Sequence, residues 1–108
     1  MYLIVNNKKI EIVLLNTFFK KLVGLINKKN KIDKVYVLNN CNSIHTFFMK
    51  QKIDVCITNK NKKILYLSKN VKKNKIILPK KGGYYTFEMP LETVKYLKIG
   101  DYLNTINF

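Results

Sequence analysis

Ile53-Asp54-Val55-Cys56-Ile57-Thr58, then Asn59-Lys60-Asn61-Lys62, then Lys63-Ile64-Leu65-Tyr66-Leu67 is the stretch that decides the fold. Two runs rich in β-branched and aromatic residues flank four polar ones, the pattern of an antiparallel hairpin. Side chains alternate along an extended strand, so Ile53, Val55 and Ile57 take one face and Asp54, Cys56 and Thr58 the other. Asp54 is thus the polar member of a two-sided strand.

Outward from this hairpin the same short spacing recurs. Tyr2 to Val5 and Ile10 to Leu15 are β-rich runs joined by Asn6-Asn7-Lys8-Lys9, a second hairpin. Val35 to Leu38, Ile44 to Phe48, Tyr84 to Glu88 and Tyr102 to Ile106 add further strands, while Ile76, Ile77 and Leu78 run into Pro79 and Gly82-Gly83 turns the chain before Tyr84. One segment departs from this period: Phe18, Leu22, Leu25 and Ile26 recur at helical spacing behind Asn16 or Thr17 as cap. The sequence therefore predicts a mainly β (α+β) domain spanning residues 1–108. Its form is a compact curved sheet or small barrel of about seven to eight short strands. One main helix is expected over about Thr17 to Asn27 and a short helical turn near Leu91 to Leu97.

A chain of 108 residues supports one core, which excludes two-domain enzyme architectures. The formal charge is +15, and all 21 basic residues are Lys. Lys, Asn, Ile, Phe and Tyr fill 61 of the 108 positions, a bias of A+T-rich codons that explains the charge without selection for binding. The functional alternative is weak, non-specific nucleic-acid binding through phosphates, since +15 suffices for salt-sensitive association but Arg, the main reader of base edges, is absent. No stretch approaches the roughly 18 apolar residues of a membrane span, and no membrane is expected as a partner. The apolar run at Met1 to Val5 is too short for an export signal, so a cytoplasmic protein with Cys41 and Cys56 reduced is expected.

Gly24-Leu25, then Cys41-x-x-Ile44-His45-Thr46-x-x-Met49, Ile53-Asp54-Val55, Glu88-x-Pro90 and Gly100-Asp101 together resemble the bacterial and archaeal family catalogued as domain of unknown function 192. The resemblance runs from about Thr17 to Leu103, and the His-Thr-x-x-Met and Ile-Asp-Val motifs at this spacing are its specific part. It implies a small β-rich fold with one main helix, and it implies no established activity, cofactor or catalytic residue. This chain departs from the usual pattern at Lys21, Ile26, Lys52 and Glu92, where Arg, Met, Pro and Gly respectively are common.

His45, the only histidine, is the natural acid/base candidate near neutral pH. A single His beside Phe47 and Met49 also suits a structural hydrogen bond. Asp54 either orients His45 or accepts from a loop backbone. Cys41, His45, Asp54 and Cys56 lack the spacing of a zinc site, so no metal and no cofactor are expected. Cys41 and His45, four residues apart in extended chain, would be about 13 Å apart, too far for a nucleophile pair without a tight turn. Lys80-Lys81-Gly82-Gly83 lacks the spacing of a phosphate loop. The aromatic residues Phe47, Phe48, Tyr84, Tyr85 and Phe87 interleave with Lys as in single-strand binders, but alternation sends about half of them to the core. The reading that follows is a small non-enzymatic binding or accessory domain. A polar pocket around His45, Thr46, Asp54 and Glu88 would take a small-molecule ligand. A polyanion binder and a small enzyme using His45 and Asp54 are the alternatives.

Overall fold

A computed structural model describes residues 1–15, 32–45, 51–72 and 75–108. Nine strands are present among them: β1 Tyr2–Val5, β2 Lys8–Leu14, β3 Val35–Asn39, β4 Ile44–His45, β5 Ile53–Thr58, β6 Ile64–Val71, β7 Ile76–Ile77, β8 Tyr85–Met89 and β9 Thr105–Ile106. Seven form one sheet in the order β6-β5-β8-β3-β2-β1-β9, and β4 pairs with β7 in a separate two-stranded sheet. The helix expected over Thr17 to Asn27 lies outside the described residues, as do Thr46, Phe47 and Phe48. Among the described residues the helical element is a single 3₁₀ turn, Val94–Tyr96, shorter than the turn expected over Leu91 to Leu97.

Local chemistry explains where the strands differ from expectation. Asn6 and Asn7 adopt φ of 50° and 60°, the left-handed pair that a two-residue hairpin turn requires and that Asn tolerates. The turn is therefore two residues long, and Lys8 and Lys9 pair with Val5 and Ile4. The central hairpin pairs as the sequence indicated, with Cys56 opposite Leu67 and Ile57 opposite Tyr66. Its second strand runs on to Val71 through a bulge, where Asn70 has φ of 55°. The last strand shrinks to two residues, because Gly100 at φ 95° and the bridge of Lys63 to Tyr102 hold the preceding chain in a turn.

The sheet curls into a half-barrel. Ile64 N–H donates to Asp101 O (2.8 Å), Leu103 N–H to Lys62 O (3.0 Å) and Ile4 N–H to Asn104 O (2.8 Å), so residues 101–104 link the edge strand β6 to β1 near the other end of the sheet. Inside the curl Leu3, Ile12, Val35, Val37, Cys56, Phe87 and Met89 form the main core. Phe87, fully buried, lies edge-on to Phe108 with ring centroids 6.0 Å apart. On the outer face Ile53, Val55, Ile57 and Val71 pack with Ile32 and with Ile44 and Ile77 of the small sheet. β5 is buried along its whole length because it meets one core on each side. β2 and β3 pair in parallel, and such a pair needs a long crossover, for which residues 15–34 supply the chain.

Candidate functional site

β8 sits between β5 and β3, and its register decides which polar residues meet. Glu88 lies opposite Val55 and Tyr36, on the outer face. Asp54 lies opposite Met89, on the inner face. The sheet therefore separates Asp54 from Glu88, which the sequence reading had grouped in one pocket.

Asp54 is 1% exposed and its carboxylate accepts three backbone N–H groups. Asn70 donates to Oδ1 (3.0 Å), and Thr93 and Val94 donate to Oδ2 (2.9 and 3.0 Å). The bulge at Asn70 turns its N–H out of the ladder toward Asp54. Thr93 supplies no side-chain cap for the 3₁₀ turn, and Asp54 provides that cap from across the core. Thr93 Oγ1 instead donates to Pro90 O (2.7 Å), closing the loop that carries Glu92. Glu92 holds φ of 72°, a conformation that favours glycine, at a position where the resembled pattern commonly has one.

Glu88 is the opposite case. It is 7% exposed, and its Oε2 has no hydrogen-bond partner among the described residues. Burial pushes its carboxyl up to about 7 from the ordinary 4.5. A carboxyl that is half protonated near neutrality both donates and accepts, unlike an ionised one. Thr86, two residues earlier on the same face, is fully buried and donates to Cys41 O (2.8 Å), which ties the chain entering β4 to the sheet. A cavity of about 390 Å³ opens two residues beyond Glu88, lined by Ile32, Gln51, Lys52, Pro90, Leu91 and Glu92.

The backbone of His45 pairs with Ile76 in the small sheet. Both cysteines are free: Cys56 is buried in the main core, where desolvation pushes its thiol up to about 12, and Cys41 Sγ donates to Ser43 O (3.0 Å). Among the described residues no three His, Cys, Asp and Glu side chains gather closely enough to hold a metal ion. No helix of the described residues is long and apolar enough to cross a membrane.

A second concave region escaped the sequence reading. A groove of about 330 Å³ runs between the bulged end of β6 and β7, lined among others by Tyr66, Lys69, Lys72, Lys75 and Ile76. Its signal was available: residues 55–87 contain nine Lys and no Asp or Glu.

No family model matches the sequence. A UPF0127 protein of Thermococcus sibiricus is 34% identical over 93 residues, which covers 80% of this chain and 60% of that protein. A UPF0127 protein of Pyrococcus furiosus is 31% identical over 101 residues, covering 88% of this chain and 86% of that one. Two solved structures share the fold. One, described as a proposed transcription regulator of Sinorhizobium meliloti, aligns with a TM-score of 0.77 at 16% identity over 95% of this chain and 89% of its own. The other, a protein of unknown function from Novosphingobium aromaticivorans, aligns with a TM-score of 0.76 at 11% identity over 96% and 82%.

Proposed function

The chain belongs to the UPF0127 family, and from that premise we propose that it is a small non-enzymatic binding domain whose ligand is anchored by Glu88 on the outer face of the sheet. The same reading keeps the resemblance to domain of unknown function 192, with His45 and Thr46 as further residues of the pocket. The observation that carries the reading is the buried Oε2 of Glu88 with no partner among the described residues. An unmet buried polar group costs about 1–3 kcal/mol, and a ligand that meets it recovers that cost as affinity. The apolar neighbours Ile53, Val55 and Ile57 call for a compact ligand with an apolar body and a group that both accepts and donates, such as an amide or hydroxyl. Binding is favoured over His45/Asp54 catalysis because both oxygens of Asp54 are occupied by backbone N–H groups on the inner face.

An amide NMR titration with a cytoplasmic small-molecule extract at physiological salt tests this. The expected result is a set of shifts confined to Tyr36, Val55, Thr86 and Glu88 that disappears in Glu88→Ala. Unchanged spectra there, with diffuse salt-sensitive shifts only on adding short nucleic acid, would refute the pocket and leave the lysines as the binding chemistry.

A further inference from the structure

We infer that the β6–β8 segment is a docking surface for an anionic lipid bilayer, with Ile76 and Leu78 entering the bilayer and the lysines around them resting on its phosphates. Ile76 and Leu78 are 60% and 67% exposed, whereas Ile77 between them is 6% exposed and anchors the strand to the outer core. The alternation thus turns two large aliphatic side chains to solvent from a firmly held strand, where either could point inward by a one-residue shift.

The charge lining the groove is positive, and Glu92, which does not line it, lies close enough to Lys69 to interact with it. Lys69, Lys72 and Lys75 line the same groove as Ile76. Lys80 Nζ lies 4.2 Å from the ring centroid of Tyr66, another wall of that groove. No acidic residue occurs between Asp54 and Glu88 in the sequence, and both of those are buried. An apolar tip inside a ring of lysines matches a surface that is negative at headgroup depth and hydrocarbon below. A second copy of this chain does not fit, because it would bring the same lysines into contact. Nucleic acid engages the lysines but gains little from Ile76 and Leu78, which have no ring to stack on a base. This surface departs from the sequence expectation of no membrane partner, which rested on the absence of a spanning segment; a peripheral contact needs none.

The chain has no Trp, so Leu78→Trp installs a single reporter at the proposed point of entry. Vesicles of phosphatidylcholine alone are compared with vesicles holding one quarter phosphatidylserine, in 0.15 M salt. The expected result is a blue-shifted emission, quenched by brominated acyl chains, with the anionic vesicles only. In sedimentation, Ile76→Ser/Leu78→Ser should weaken partitioning by roughly 30-fold or more, and Lys69→Gln/Lys75→Gln by about 5-fold per lysine. Both variants change exposed side chains, so unaltered circular dichroism is expected and is checked first. No blue shift, equal binding to neutral vesicles, or full binding by the Ser variant would overturn the inference. So would retention on single-stranded RNA alone.

Discussion

Replacing Asp54 should damage the fold far from the site of substitution. Three backbone N–H groups end on its carboxylate, two of them, from Thr93 and Val94, in buried hydrogen bonds. Hydrogen bonds to a charged acceptor are each worth about 1.5–3 kcal/mol, and donors left buried without an acceptor cost about 1–3 kcal/mol each. These terms are not additive, because water can reach the Asn70 N–H once the side chain is cut back. Asp54→Ala should therefore cost about 3–5 kcal/mol, a large share of the roughly 5–15 kcal/mol that holds a domain together. Asp54→Asn keeps one oxygen for Thr93 and Val94 but turns an amide N–H₂ toward the Asn70 donor, and should cost about 1–2 kcal/mol. With no Trp in the chain, urea unfolding is followed by far-ultraviolet circular dichroism and Tyr fluorescence. At about 4–8 °C per kcal/mol, Asp54→Ala should lower Tm by 12 °C or more. A loss below 1 kcal/mol, or Asn costing as much as Ala, would show that the carboxylate does not hold the 3₁₀ turn.

Glu88 should make stability depend on pH in the sense opposite to a salt-bridged acid. Its carboxyl is raised from 4.5 to about 7 by burial, so the folded state holds a proton that the unfolded chain has released. Its contribution to stability is full below about 4.5 and falls by about 3 kcal/mol as pH rises to 7, whereas Glu88→Gln removes that part of the slope; urea midpoints at pH 5 and pH 8 measure both. Cys56, with its thiol near 12 in the main core, should not react with a thiol reagent at pH 8 until the protein unfolds, whereas the half-buried Cys41 reacts in the native state. A count of two fast thiols would contradict the burial. Gly83→Ala should destabilise by about 1–3 kcal/mol, since a Cβ there would come within 2.7 Å of Asn42 Cβ and 2.9 Å of Lys80 O; a thermal melt decides it. Glu92→Gly should raise Tm by relieving the φ of 72°, despite losing the exposed 2.8 Å ion pair with Lys95; a lowered Tm would mean the ion pair outweighs the backbone.

The pattern from Ile53 to Leu67 was legible because each residue carries its own information. Period-two alternation requires only that the strand be half or fully buried, and it placed Ile53, Val55 and Ile57 with one core and Cys56 with the other. Asn6-Asn7 marked a turn for an equally local reason, a tolerance of left-handed φ, although the turn is two residues long where four were expected. The parallel pairing of β2 with β3 had no local mark, since strand direction is set by the chain between them.

The candidate site divides along the same line. Sequence alone determined that Asp54 and Glu88 are polar residues set in apolar strands, and that one of them could serve a backbone instead of a ligand. Which residue does which depends on the register of β5 against β8. Asp54 opposite Met89 and Val55 opposite Glu88 put the two carboxyls on opposite faces, and a slip of one residue would have reversed that. Likewise the lysines of residues 55–87 are a composition until β6 and β7 bring three of them to one groove beside Ile76. Alternation within a strand is a property of the chain, but pairing between strands is a property of the fold, and only the second decides what meets at a site.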